Sequence, residues 1–253
     1  MNKIALITGA TSGIGEAVAQ LLAQAKYDLV LTGRRESRLV EVAKKLETDY
    51  AVKVLPLSFD VRSQEQVEKY LGGLPAEWKN IDVLVNNAGL AVGLNTIDSG
   101  VVDDWERMID TNVKGLLYVT RIISKYMIAR KQGHIVNLCS IAGKEVYLNG
   151  NVYCASKHAV DALTKGMRID LLPHNIRVSQ ICPGAVETEF SEVRFKGDSE
   201  RAANVYKGFT PLRALDVADA IMYMINCPAH VNINDMVIMP TAQANSGVFN
   251  KKL

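Results

Sequence analysis

This sequence predicts an α/β fold class, a doubly wound parallel sheet of about seven strands with helices on both faces, on three observations. Short apolar runs rich in branched residues alternate with segments of helical period almost to the end of the chain, a βαβ rhythm that means parallel strands. A glycine-rich turn, Thr8-Gly9-Ala10-Thr11-Ser12-Gly13-Ile14-Gly15, lies between the first of these runs and the first helical segment. No Ser/Gly/Pro-rich linker, repeat or low-complexity segment interrupts the 253 residues, so 1–253 reads as a single domain.

Residues 3–8 form a continuous apolar run, as expected of a strand buried on both faces. Ile14, Val18, Leu21 and Leu22 then recur at helical spacing, so a helix opens at the last glycine of the turn. Free N–H groups at a helix start, the positive end of its dipole and glycines that let a phosphate approach make an anion site. Taken alone, the glycines fit an ordinary strand-to-helix turn equally well. Further strands are predicted at 28–32, 53–58, 83–86, 134–138, 177–181 and 236–239. Helices are predicted to start near Ile14, Glu36, Ser63, Asp103, Tyr153 and Val217. Residues 187–212 are charged, strand-free and longer than most connections, but Val193, Phe195, Val205, Tyr206 and Phe209 give them something to bury. Such a segment reads as a substrate lid rather than a disordered loop.

Composition excludes several classes. A 48% hydrophobic content argues against disorder, and a formal charge of +2 with scattered Lys and Arg gives no field for nucleic acid. No apolar run approaches the ~20 residues of a membrane span, and the start of the chain has no signal-peptide pattern. Cys139, Cys154, Cys182 and Cys227 form no C-x-x-C pair or metal-type cluster. They read as small apolar residues in a reducing compartment, so no metal and a cytoplasmic location are expected.

The tip of the second strand decides which dinucleotide such a sheet takes, because a carboxylate there binds a ribose 2′-hydroxyl and Arg accommodates a 2′-phosphate. Here the strand ends in Gly33-Arg34-Arg35, with no carboxylate. Two guanidiniums can clamp a dianionic phosphate, which predicts NADP(H), although arginines also open surface helices. Asp60 and Val61 follow the third strand, where they would lie beside the adenine. Asn86, Ala88 and Gly89 end the fourth strand, on the carboxyl edge where ligands bind in open α/β sheets.

Tyr153 and Lys157 lie four residues apart at a helix start and so share a face. A phenol titrates near pH ~10, and an adjacent ammonium favours the phenolate, bringing it toward acid/base range. Ser140 follows the fifth strand at the same carboxyl edge, where it can bond the oxygen of an alcohol or carbonyl. Asn112 falls on the side of a helix marked as buried by Trp105, Met108, Ile109, Val113, Leu116, Leu117 and Thr120. A buried amide needs partners, and either a helix kink or a water relay to Lys157 satisfies that need.

Together these residues resemble the short-chain dehydrogenases/reductases along essentially the whole chain. The matching parts are T-G-x-x-x-G-x-G at 8–15, N-N-A-G at 86–89, Asn112, Ser140, Y-x-x-x-K at 153–157, and Pro183-Gly184 followed by Thr188. The resemblance implies a Rossmann fold with Tyr153 as general acid/base and Ser140 orienting the substrate. It also implies that Lys157 binds nicotinamide ribose and lowers the tyrosine pKa, while Asn112 holds a relay water. Cofactor contacts are implied for Gly9, Thr11, Ser12, Gly13, Ile14, Gly15, Pro183, Gly184, Val186 and Thr188, with the last two near the nicotinamide amide and a phosphate. A homotetramer is implied as well; Ala155, Ala159 and Ala162 on the Tyr153 helix would permit close helix packing.

Segments 74–78, 193–198, 228–234 and 239–243 are most similar to one branch, the NADP-dependent 3-hydroxy acid dehydrogenases, also described as serine or L-allo-threonine dehydrogenases. That similarity implies oxidation of small 3-hydroxy acids such as serine, L-allo-threonine or 3-hydroxypropionate, or reduction of malonic semialdehyde. A carboxylate beside the reacting carbon wants a cation, and Arg194 in the lid is the matching candidate, though it can equally be a solvated charge paired with Asp198 or Glu192. Two other readings stand beside this one: a short-chain carbonyl reductase acting on a different aldehyde or ketone, and a non-catalytic nucleotide sensor, whose expected mark is loss of the tyrosine or lysine.

Overall fold

A strand that is covered on both faces must be apolar at successive positions, and β1 (Ile4–Thr8) is buried throughout. In the computed structural model, which describes residues 2–252, β1 lies at the centre of the sheet. The other strands are β2 (Asp28–Gly33), β3 (Val54–Ser58), β4 (Ile81–Asn86), β5 (Gly133–Leu138), β6 (Ile176–Pro183), β7 (Val186–Glu187), β8 (Leu212–Arg213) and β9 (Asp235–Ile238). Seven of them form one sheet in the order β3-β2-β1-β4-β5-β6-β9, and every pair is parallel.

The helices are α1 (Gly13–Gln24), α2 (Glu36–Tyr50), α3 (Gln64–Val67), α4 (Val102–Ile109), α5 (Leu116–Arg130), α6 (Asn151–Leu171), α7 (Phe190–Arg194), α8 (Ser199–Asn204) and α9 (Ala214–Asn226). Ala5 and Ile7 of β1 join Leu22 of α1, Leu39 of α2 and Ile221 of α9 in one core. Leu6, one residue on, joins Val67 of α3 and Ile123 and Met127 of α5 in the other. Alternation along a single strand therefore builds both layers of the double winding. The sheet reverses direction of growth between β1 and β4, and ligands in open parallel sheets bind at the carboxyl ends beside such a point.

Two expectations need correcting. The helix carrying Asn112 is broken by a π turn, Asp110–Gly115, between α4 and α5. A π turn takes in extra backbone, and one added residue rotates all that follows by about 100°. Leu117 is therefore exposed, whereas Gly115 and Val119 face inward. Nor is the segment after β6 strand-free at its ends: Val186 pairs with Leu212 and Glu187 with Arg213, so β7 and β8 close its base. Between them α7 and α8 fold as short helices, and Val193 is exposed rather than buried. No helix among the described residues is long and apolar enough to cross a membrane.

Candidate active site

The glycine-rich turn is tied to the end of β4 by two side chains. Thr8 Oγ1 accepts from the backbone N–H groups of Asn87 at 3.0 Å and Ala88 at 2.9 Å. In return, Asn87 Nδ2 donates to the carbonyls of Thr8 at 2.9 Å and Gly9 at 3.0 Å. Gly9 has a φ of +68°, which glycine adopts without strain, and a Cβ on Gly15 would collide with Asn87 Nδ2 and the Gly9 carbonyl. The turn thus presents bare backbone at the start of α1, the cradle that a pyrophosphate fits.

A cleft of about 350 Å³ runs along this edge. Gly9, Thr11, Ser12, Gly13, Ile14, Arg34, Arg35, Asp60, Val61, Ala88, Gly89, Ser140, Tyr153, Lys157, Pro183, Gly184, Val186 and Thr188 all line it. Gly15, Asn86, Asn112 and Arg194 do not. Gly15 is the floor under the turn. Asn86 points the other way, its Nδ2 donating at 2.9 Å to Thr120 Oγ1 and at 2.9 Å to Asn137 Oδ1 inside the core. Its expected cofactor contact is therefore corrected to a structural bond between β4, β5 and α5.

Arg35 folds back over the turn. Its Nε donates to Thr11 Oγ1 at 3.2 Å, one terminal nitrogen reaches Ser12 Oγ at 2.8 Å, and the other pairs with Glu189 at 2.8 Å. Arg34 lines the same cleft without a hydrogen-bonded partner among the described residues. Asp60 is bound by Arg62 at 2.7 Å. Partial burial works against its charge, but the Arg62 bonds prevail and hold the carboxyl below its usual range.

At the other end of the cleft, α6 delivers Tyr153 and Lys157, both buried. Ser140, at the end of β5, accepts from the Ala142 N–H at 3.1 Å, which fixes its hydroxyl at the sheet edge. Burial pushes the Tyr153 phenol up to about 12, against the lowering effects of the Arg194 guanidinium and a hydrogen bond with Ser140. The largest of the effects that oppose burial is the Arg194 guanidinium. Lys157 Nζ lies 6.0 Å from the Tyr153 ring centre and donates to the Leu138 carbonyl at 2.8 Å. Its own pKa is lowered, chiefly by burial.

Asn112 stands behind this group. Its Oδ1 accepts from the Leu90 N–H at 2.8 Å, while Nδ2 donates to the Leu90 carbonyl at 2.8 Å and to Ser156 Oγ at 3.0 Å. Ser156 in turn donates to the Tyr153 carbonyl at 2.7 Å. Both amide donors are used on protein atoms, the helix is distorted at this point, and the amide reaches α6 through Ser156. A methyl on Gly89 would lie 3.3 Å from Asn112 Oδ1 and 3.5 Å from Lys157 Nζ, which places the amide just beneath the cleft floor.

Arg194, from the end of α7, stacks among three rings. Its guanidinium carbon is 5.1 Å from the Tyr153 centre, 5.1 Å from Phe190 and 5.9 Å from Tyr147. One terminal nitrogen donates to Tyr147 Oη at 3.1 Å, and the buried Nε has no partner among the described residues. It pairs with neither Asp198 nor Glu192. The segment is docked by the Gly93 N–H donating to the Arg194 carbonyl at 3.0 Å and by Lys196 pairing with buried Asp104 at 2.8 Å. Thr8, Asn87, Tyr147, Ser156 and Glu189 were not anticipated as site residues. Thr8 and Asn87 fall inside the two short patterns read from the sequence, whereas the other three carry no local signal.

The chain matches the family model described as short chain dehydrogenase over residues 3–199. It is 44% identical over 246 residues to the NADP-dependent 3-hydroxy acid dehydrogenase YdfG of Escherichia coli (strain K12), covering 97% of this chain and 98% of that one. It is also 41% identical over 252 residues to the NADP-dependent 3-hydroxy acid dehydrogenase of Schizosaccharomyces pombe, covering 99% and 97%. Among solved structures, the closed form of serine dehydrogenase complexed with NADP+ superposes with a TM-score of 0.91 at 43% identity, covering 99% of this chain and 100% of that one.

Proposed function

The chain belongs to the short-chain dehydrogenase family and is an oxidoreductase, and from that premise we propose that it is an NADP(H)-dependent dehydrogenase of small 3-hydroxy acids. The observation that carries the substrate class is Arg194. A guanidinium with a buried, unpartnered Nε, 5.1 Å from the ring of the acid/base tyrosine, suits a carboxylate carried a few ångströms from the reacting carbon. The relatives named for 3-hydroxy acids and serine favour the same reading.

When bound, the nicotinamide accepts or supplies the hydride at the carbon under attack. Residues of this chain do the rest. Thr11, Ser12, Gly13 and Ile14 would hold the phosphates, Arg34 and Arg35 the 2′-phosphate, and Asp60 and Val61 the adenine side. Pro183, Gly184, Val186 and Thr188 would hold the nicotinamide end. Ser140 orients the substrate oxygen, and Tyr153 takes the hydroxyl proton in oxidation or returns it in reduction. Lys157, anchored on the Leu138 carbonyl, has further N–H groups for a ribose hydroxyl. Residues 187–212 act as the lid that brings Arg194 over the substrate. We place the enzyme in the cytoplasm as a homotetramer, with α6 and its accessible Ala155, Ala159 and Ala162 at a subunit contact.

The test is a steady-state comparison of L-serine, L-allo-threonine and 3-hydroxypropionate with NADP and NAD. Turnover of at least one of them with a clear NADP preference is expected. Tyr153→Phe should keep NADPH binding and lose nearly all turnover. Activity confined to neutral ketones would instead make the chain a carbonyl reductase, and an inert enzyme on a broad panel would make it a nucleotide sensor.

A further inference from the structure

Glu189, the first residue beyond Thr188, crosses the mouth of the cleft to the arginines on the opposite wall. One carboxylate oxygen meets Arg35 at 2.8 Å and the other meets Arg38 at 2.6 Å. Both pairs are half-exposed; burial pushes the carboxyl up, but the bonds and charges of the two guanidiniums together outweigh it and hold it below its usual range. The other two nitrogens of Arg35 are directed at Thr11 and Ser12, so each of its three nitrogens meets a protein oxygen. A phosphate on the ribose needs that same edge. It arrives with close to two negative charges, and the carboxylate repels it while competing for the donors.

We propose that Glu189 is a specificity-determining residue of the 2′-phosphate subsite, an internal carboxylate that NADP(H) must displace from Arg35 and Arg38. This inference rests on the reading that Arg34 and Arg35 hold the 2′-phosphate. Displacement lowers the affinity for NADP(H) below what three neighbouring arginines would otherwise give. It leaves NAD(H) untouched, since a bare ribose makes no demand on those guanidiniums. It also couples nucleotide binding to the lid, because freeing Glu189 from α2 releases the strand-to-helix junction on which α7 and Arg194 are carried.

The experiment is equilibrium titration of NADPH, NADH and adenosine 2′,5′-bisphosphate, followed by nucleotide fluorescence or calorimetry, on wild type, Glu189→Gln and Arg34→Ala/Arg35→Ala. Glu189→Gln should tighten NADPH and the bisphosphate by about threefold to tenfold, the range that the loss of one or two half-exposed ion pairs gives, and shift NADH by less than about twofold. Unchanged or weaker NADPH binding in Glu189→Gln overturns the inference, as does equal tightening of NADH. In either case, loss of the NADPH preference in Arg34→Ala/Arg35→Ala keeps the arginine reading alone. If that double variant retains the preference, the arginine reading falls and the inference falls with it. Glu189 is a surface carboxylate, so thermal unfolding of Glu189→Gln should match wild type, which makes the binding result interpretable.

Discussion

Replacing Arg194 by Met keeps an extended, flexible side chain against Tyr147, Tyr153 and Phe190 but removes the charge. If the guanidinium reads a substrate carboxylate, truncating one partner of a largely buried, charge-assisted pair costs about 2–4 kcal/mol. That corresponds to a fall in kcat/KM of about 30-fold to 1,000-fold at 1.4 kcal/mol per decade. The direction of assay matters, because the guanidinium also lies 5.1 Å from the Tyr153 ring and lowers its pKa. In oxidation the phenolate is the base, so Arg194→Met slows even a neutral alcohol near neutral pH. In reduction the phenol is the acid and stays protonated in both proteins. The clean comparison is therefore NADPH oxidation with malonic semialdehyde against propanal. The semialdehyde should lose the full factor, mostly through KM, and propanal should lose less than about threefold. Equal losses on the two aldehydes, or none on the semialdehyde, would refute the carboxylate assignment. In the oxidation direction with a neutral alcohol, the ascending acid-side limb of the pH profile should move to higher pH, since a cation that favoured the phenolate is gone.

Thr8→Val leaves the N–H groups of Asn87 and Ala88 without their acceptor; at about 1–3 kcal/mol for each stranded group, Tm should fall by about 5–10 °C and NADPH binding should weaken, as read by calorimetry. Asn112→Ala strands Leu90 and Ser156, so a Tm loss of similar size is expected together with lower kcat; a native Tm with lost turnover would instead give the amide a direct chemical part. His134, held to a pKa of about 3 by burial and by Arg177, is neutral in the fold. The unfolded chain binds its proton from pH ~6.5 downward, so stability falls from there to about pH 3 at up to about 1.4 kcal/mol per pH unit. Urea unfolding of His134→Gln should show a shallower acid slope, and an unchanged slope would assign the acid loss to other groups.

The central strands were legible because β1, β2 and β4, buried along nearly their whole length, read as runs of branched apolar residues, whereas the edge strands β3 and β9 are only partly covered. The places where expectation and structure part have physical reasons. Successive residues on a strand point to opposite faces, so of the pair Asn86-Asn87 only one can serve the turn, and nothing in the letters says which. Leu117 reads as inward-facing on a regular helix through 110–115, and a π turn leaves no mark in composition. Spacing correctly put Lys157 beside Tyr153, but a long side chain goes where its ammonium is best bonded, here to the Leu138 carbonyl. The Arg35–Glu189 pair joins residues 154 positions apart, and no periodicity carries information over that distance.

Arg194, which opposes the burial that raises the Tyr153 phenol to about 12, belongs to α7 rather than to the helix that carries the tyrosine, and on the proposed reading this gives the lid a further part. A lysine four residues along α6 would tune the phenol whether or not anything covered the cleft. Arg194 does so only while its segment is docked through Gly93 and the Lys196–Asp104 pair. With the lid lifted, the guanidinium leaves the ring and its pull toward the phenolate is lost. On the proposed reading, a substrate carboxylate seated on Arg194 would hold the same segment down from within. On that reading, substrate recognition, lid docking and the tuning of the Tyr153 phenol would be one equilibrium. Opening the latch by Asp104→Asn should therefore raise KM for a 3-hydroxy acid and move the ascending acid-side limb of the oxidation profile to higher pH together. A change in KM with an unmoved limb would separate the two and show that Arg194 keeps its place over Tyr153 without the latch.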